Sequence, residues 1–387
     1  MTSTTTCTTT AQYPIATSFN AASSAAEVMA GIDLTGHLVI VTGGHSGLGL
    51  ITTRHLAAAG ARVIVAARDA GRARTALAGI PGPGHVEVRE MDLIDPASVE
   101  AFSRSVVEDG QAVALLINCA GVMASPLMRD IDGHEGQFAT NHLGHYRLTC
   151  GIWPALVAAG NARVISVSSR GHQIAGIDFE DIDFQRRPYD KWVAYGQSKT
   201  ANALFALALD GRGRKHGVRG FSLHPGQILT DLSRHLSAGE IAAFGVLDEQ
   251  GNQRLDPAAG LKTPEQGAAT VLWCATSRAL DDKGGVYCED CNIAGPNDPR
   301  TGRAGVAGWA ADPQLAERLW TLSEQWTGLT VTALRPAAGS CKSTGPITAP
   351  EPEPDRPFVP ACRTRSPGSG AARPLRFARS GGSARWR

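Results

Sequence analysis

An apolar run, Leu38-Val39-Ile40-Val41, passes directly into TGGHSGLG, Thr42 to Gly49, a turn with four glycines in eight positions. Such a turn usually holds a phosphate, yet its spacing is neither the G-x-G-x-x-G fingerprint nor the G-x-x-x-x-G-K-[ST] P-loop. The pattern is T-G-x-x-x-G-x-G, and the helical pattern that follows brings free backbone N–H groups and the positive end of a helix dipole to the turn. Gly43 permits the tight turn, Gly47 a close approach of phosphates, and Gly49 close packing of helix on sheet.

The same alternation continues along the chain. Strands are expected at 38 to 42, 62 to 67, 85 to 90, 113 to 118, 162 to 168 and 218 to 223, with helices near 47 to 60, 96 to 109, 134 to 160 and 192 to 216. Runs such as VIVAA and VALLIN are apolar throughout instead of alternating, so both faces are buried, as in a parallel sheet covered by helices. The expected fold class is α/β, a doubly wound, mostly parallel Rossmann-type sheet in a single domain. A helix near 263 to 277, a strand in GGVYC and a helix near 312 to 327 complete it.

Composition sets the limits of this domain. Residues 1 to 30 are rich in Thr, Ser and Ala, with only SSAAEVMAGI suited to a short helix, so a flexible N-terminal segment is expected ahead of a catalytic domain at 31 to 330. Residues 331 to 387 contain nine Pro and nine Arg with few aliphatics, a composition expected to stay disordered. That stretch holds ten Lys/Arg against three Asp/Glu, which leaves residues 1 to 330 with 27 against 33. The body is thus mildly acidic, and no nucleic-acid partner is expected. No apolar run approaches the roughly 18 residues of a membrane span, and the first Lys or Arg is Arg54, so a cytoplasmic protein without a membrane span is expected. Cys288 and Cys291 have no second pair at zinc-ribbon spacing, and His142 and His145 have no third ligand; no metal is expected.

Two further positions carry chemistry. The second strand ends in Arg68-Asp69, where such folds discriminate the adenosine ribose. An acidic residue there accepts from both ribose hydroxyls, whereas Arg68 pairs with a 2′-phosphate; the expected cofactor is NADP, with NAD as the alternative that Asp69 keeps open. Tyr195 and Lys199 are four apart in a helical stretch and project from one face. An ammonium near a phenol is expected to lower the phenol's pKa and fit it for acid-base work.

Taken in order, TGGHSGLG, MDL at 91 to 93, NCAG at 118 to 121, NHLGH at 141 to 145, SVSS at 166 to 169, YGQSK at 195 to 199 and HPGQILT at 224 to 230 resemble the short-chain dehydrogenase/reductase family over about residues 33 to 328. RVISVSSRGHQ and the long interval before the tyrosine resemble the retinol-dehydrogenase-like and WW-domain-oxidoreductase-like branch with its bacterial relatives. The resemblance implies NAD(P)-dependent hydride transfer between nicotinamide and a carbonyl/alcohol pair, with Tyr195 as acid-base, Lys199 tuning it, Ser169 (Ser168 being the competing reading) on the substrate oxygen, and Asn141 holding a relay water. It further implies that Ser46 and Leu48 join the glycines at the cofactor, that Asp92 bonds the adenine amino group with Leu93 beside it, and that Asn118, Ala120 and Gly121 end the fourth strand against the ribose. Ile228 and Thr230 would anchor the nicotinamide carboxamide. Cys119, where Asn or Ala is common, is a departure.

The segment 176 to 190 is expected as a loop near the site, and 231 to 262 as a substrate lid whose Leu232, Leu236, Ile241, Phe244 and Leu247 favour a hydrophobic substrate or else complete a core. The family's dimers and tetramers imply a homodimer or homotetramer. A non-catalytic nucleotide-binding scaffold or redox sensor is the competing reading, against which the presence of Tyr, Lys and Ser weighs.

Overall fold

The computed structural model describes residues 10–80, 84–300 and 302–331. Its strands are β1 Leu38–Thr42, β2 Arg62–Ala67, β3 His85–Glu90, β4 Val113–Asn118, β5 Ala162–Val167, β6 Val218–His224, β7 Val286–Glu289 and β8 Asn292–Ile293. The helices are α1 Ala25–Val28, α2 Gly47–Ala58, α3 Ala70–Leu77, α4 Pro96–Glu108, α5 Gly136–Phe138, α6 Gly144–Gly151, α7 Trp153–Ala159, α8 Lys191–Gly213, α9 Ala238–Ala243, α10 Pro264–Thr276 and α11 Pro313–Thr327. The strands form one sheet in the order β3-β2-β1-β4-β5-β6-β7-β8, parallel except for the antiparallel β7–β8 pair. The doubly wound, mostly parallel sheet expected from the sequence is what the chain forms.

The uniformly apolar strands serve two cores at once. Val39, Val41, Val63, Val65, Leu115 and Ile117 face one, which includes Leu56 of α2 and Leu272 of α10. Leu38, Ile40, Ile64, Leu116 and Val164 alternate into the other, against Phe102 of α4, Leu204 and Phe205 of α8 and Leu319 and Trp320 of α11. Edge strand β3 is the exception: its partly exposed HVEVRE carries charges, with Arg89 and Arg62 both bonded to Glu87, which blunts the edge.

Several elements depart from expectation. Helix α3 was not foreseen; the Asp69 side chain caps it by accepting from Arg72 N at 2.8 Å. The single helix expected over 134 to 160 is α5, a π-helical turn Ala139–Leu143, α6 and α7, and Pro154 sits in the first turn of α7, where its missing N–H costs nothing. Residues 176–190 form a loop that does not line the main cleft; Asp181 gathers the N–H groups of Gln185, Arg186 and Arg187, and Asp190 caps α8. Of the N-terminal segment expected to be flexible, residues 1–9 lie outside the described residues. Gln12 exchanges bonds with Tyr287 N and O and Ala294 O, Ile15 pairs through Asn292, and α1 begins with a Ser24 and Glu27 capping box. Residues 332–387, most of the Pro/Arg-rich tail, also lie outside the described residues. Among the described residues no helix is long and apolar enough to cross a membrane.

Candidate active site

The chain runs β1-β2-β3 in one direction, then returns to place β4 on the other side of β1, so the carboxyl ends of β1 and β4 diverge. A cleft of about 780 Å³ opens there, within the size range of small-molecule sites. The whole TGGHSGLG turn except Thr42 and Gly44 lines it, including Gly43, Ser46, Gly47, Leu48 and Gly49.

Local packing explains the glycines. Gly43 and Gly47 have φ of +66° and +48°; a Cβ on Gly43 would lie 3.1 Å from Ala120 Cα, and one on Gly49 would collide with the Gly43 carbonyl. Ser46 occupies the N-cap position of α2 but makes no capping bond, whereas Asp69, Asp95, Asp190, Thr263 and Asp312 all cap their helices. The N–H groups at the start of α2 therefore face the cleft without a side-chain acceptor. Thr42, which the sequence reading passed over, holds β1 to the end of β4: its Oγ1 accepts from Cys119 N at 2.9 Å and Ala120 N at 3.0 Å. Threonine at the head of the glycine pattern was the available signal.

At one end of the cleft stand Arg68, Asp92 and Leu93, joined by His45 and Arg72. Arg72, four positions beyond Arg68, was missed; it pairs with Asp231 at 3.2 Å on the far wall. The carboxylate of Asp69 is engaged as the α3 cap. His45 is held below the usual histidine range, first by burial and then by Arg72. Ala120 and Gly121 line the cleft as expected, but Asn118 does not. It is the last residue of β4 and is buried at 2% exposure, while Cys119, one step on and so on the other side of the chain, lines the wall instead.

At the other end Ser169, Tyr195 and Lys199 meet. The serine doublet divides its work: Ser168 Oγ donates to Lys199 O at 2.7 Å, whereas Ser169 Oγ accepts from Gly171 N at 3.0 Å and lines the cleft with Tyr195. Gly171, also missed, is needed here because a Cβ would lie 2.6 Å from Tyr195 Cε1. Behind the turn, His172 receives Ala307 N on Nε2, so its Nδ1–H donates to Ser169 O at 2.6 Å.

Burial changes the acid-base picture expected from the sequence. The Tyr195 phenol is not lowered: removal from water pushes it up to about 12, and the Ser169 side chain opposes this only in part. The same desolvation brings Lys199 down to about 8, with its Nζ 5.7 Å from the Tyr195 ring centre. The phenol is thus a neutral donor and the amine a cation at pH 7. Lys199 Nζ donates to Val167 O at 2.9 Å and to Asn202 Oδ1 at 3.3 Å.

Asn141 is fully buried in the π-helical turn, and its side chain is spent on Val122 N, Val122 O and Ser198 Oγ. His145 Nδ1 donates to the Asn141 carbonyl, which leaves Nε2 to accept from the Thr42 hydroxyl at 3.0 Å. His142 instead bonds Ser323 Oγ among aromatic rings, and no cluster able to hold a metal occurs among the described residues.

The segment after β6 forms the outer wall. Ile228 and Thr230 line the cleft, and the Thr230 Cβ lies 3.3 Å from where a Cβ on Gly47 would be. Leu232, Leu236, Ile241 and Phe244 line it too, but Leu247 does not; its neighbour Val246 takes that place because successive side chains of an extended segment alternate. Trp192 of α8 was missed. It packs edge-on against Phe244 at 5.4 Å, and Lys191 beside it pairs with Glu240 at 2.6 Å.

The family model described as short chain dehydrogenase matches residues 37–241. The chain is 46% identical over 297 residues to a protein named probable oxidoreductase from Streptomyces antibioticus, covering 75% of this chain and 97% of that one. It is 35% identical to human retinol dehydrogenase 12, covering 77% and 88%. Among solved structures, an uncharacterized protein from Mycobacterium paratuberculosis superposes with a TM-score of 0.60 at 33% identity, covering 79% of this chain and 98% of that one.

Proposed function

The chain belongs to the short-chain dehydrogenase/reductase family, in its retinol-dehydrogenase-like branch, and from that premise we propose that it is an NADP-preferring oxidoreductase acting on a hydrophobic carbonyl/alcohol pair. The observation that carries the reading is one cleft lined at one end by the uncapped α2 terminus and at the other by Ser169, Tyr195 and Lys199.

The residues present fit a dinucleotide. Gly43, Ser46, Gly47, Leu48 and Gly49 would hold the pyrophosphate on N–H groups that no side chain caps, Asp92 and Leu93 the adenine, Ala120 and Gly121 the ribose, and Ile228 and Thr230 the carboxamide. Arg68, with Arg72 and His45 beside it, suits a 2′-phosphate, and Asp69 is occupied as a helix cap. When bound, this cofactor supplies or accepts the hydride.

The chain itself manages the proton. Tyr195, protonated at neutral pH, donates to the carbonyl oxygen during reduction, and Ser169 donates a second bond to the same oxygen as charge develops on it. The Lys199 cation then stabilises the phenolate that remains. Leu232, Leu236, Ile241, Phe244 and Trp192 surround this end and favour an apolar substrate. The reading extends to a cytoplasmic setting and to a homodimer or homotetramer, which light scattering tests.

Tyr195→Phe separates an enzyme from a nucleotide-binding scaffold or redox sensor. NADPH consumption on a panel of aldehydes and ketones is expected to fall by 10² or more, the lower end of the range for acid-base groups (~10² to 10⁴); full turnover in the variant overturns the assignment. Arg68→Ala is expected to lower the NADPH to NADH preference by about tenfold, as loss of a charge-assisted contact does, and an unchanged ratio overturns the cofactor preference.

A further inference from the structure

Asn202 stands one turn beyond Lys199 on α8 and is 2% exposed. Its amide spans two groups: Oδ1 accepts from Lys199 Nζ at 3.3 Å, and Nδ2 donates to the Asn141 carbonyl at 2.6 Å. That carbonyl also accepts from His145 Nδ1 at 2.9 Å, so both of its lone pairs are used by side chains. The Asn141 side chain bonds Val122 and Ser198. A hydrogen-bonded chain thus runs from Thr42 through His145, the Asn141 carbonyl and Asn202 to the lysine ammonium, linking the head of the glycine turn to the catalytic helix.

We propose that Asn202 is a positioning residue of the reaction: its amide clamps the Lys199 ammonium to the π-helical kink at Asn141. This rests on the reading of Tyr195 and Lys199 as the proton machinery. A carboxamide neither gains nor loses a proton near neutral pH, so it holds Lys199 without relaying protons to it. Lys199 Nζ has three donors, of which Val167 O and Asn202 Oδ1 take two. The third is left for the cleft, which Lys199 lines.

The test uses the full chain with NADPH and a reduced substrate, and follows kcat against pH beside the titration of the Lys199 Nζ by NMR in the cofactor-free protein. Asn202→Ala removes an acceptor that favours the charged amine, so the alkaline limb and the Nζ titration both move down by about one pH unit, with kcat about tenfold lower. Asn202→Asp places a carboxylate beside the ammonium, and both move up by about the same amount. Opposite displacements are the expected result, because a residue that only fills space lowers activity without moving the limb in opposite senses. If Asn202→Ala does not fold, Asn202→Ser is read in its place; its shorter hydroxyl leaves the ammonium without that acceptor, and a downward limb is expected. Limbs that stay put, or move the same way in Ala and Asp, overturn the proposal. Full turnover in Tyr195→Phe instead sinks the underlying reading, so the two failures are distinguishable.

Discussion

The two walls of the cleft are built to different standards. On the side of β5 and α8, Tyr195 and Lys199 are 4% and 5% exposed, and Ser168, Ser198, Asn202 and Asn141 around them are buried with bonds made. On the side of residues 231 to 262, α9 buries none of its residues, and Leu255 is 56% exposed. That wall is attached by an Arg72–Asp231 pair, a Lys191–Glu240 pair and the Trp192–Phe244 contact. In the proposed reaction, proton transfer tolerates little displacement, and its groups are fixed by burial. The proposed substrate wall is a thinner layer with few buried contacts, the kind of region that opens at low cost.

The sharpest way to break this contrast is on the buried wall. In the reduction direction, activity is expected to fall as pH rises through about 8: Lys199 is a cation below that value and neutral above it, so the phenolate loses its counter-charge. A flat kcat profile from pH 7 to 10 removes the ammonium from the mechanism. Next in size is core packing. Leu116→Ala, fully buried in β4, is expected to cost about 2–5 kcal/mol in urea unfolding, whereas exposed Leu255→Ala is expected to stay within about 0.5 kcal/mol. Equal costs mean that the outer wall is as tightly integrated as the sheet. Smallest is Phe244→Ala, expected to raise KM for an apolar ketone severalfold with kcat nearly unchanged. A kcat loss as large as that in Tyr195→Phe means that this ring also aligns the reacting atoms.

Much of the fold was legible because its strands are uniformly apolar and their ends are marked. β1, β2, β3 and β4 fall where alternation between apolar runs and helical patterns puts them. What escaped was short or broken. Helix α3 has eight residues with a Gly near its start, and the split of α5, α6 and α7 depends on a π-turn packed against α8, which a 3.6-residue period does not announce. In the site, residues separated by four positions or placed in one turn were readable, as with Tyr195 and Lys199. Gly171, Trp192, Arg72 and Asn202 were not, since each acquires its place only when distant segments meet.

By itself the sequence determined the architecture and the chemical types at the site: T-G-x-x-x-G-x-G after an apolar strand, Arg68 at the next strand's tip, and Ser, Tyr and Lys in order. Only the tertiary structure decided how those groups are tuned. The depth at which Tyr195 and Lys199 are buried moves the phenol up and the amine down, against the expectation from charge proximity alone. Desolvation comes from everything packed around a group, and no spacing along the chain encodes it. The different hydrogen bonds of Ser168 and Ser169 arose in the same way, from which carbonyl and which N–H the folded chain brought within 3 Å.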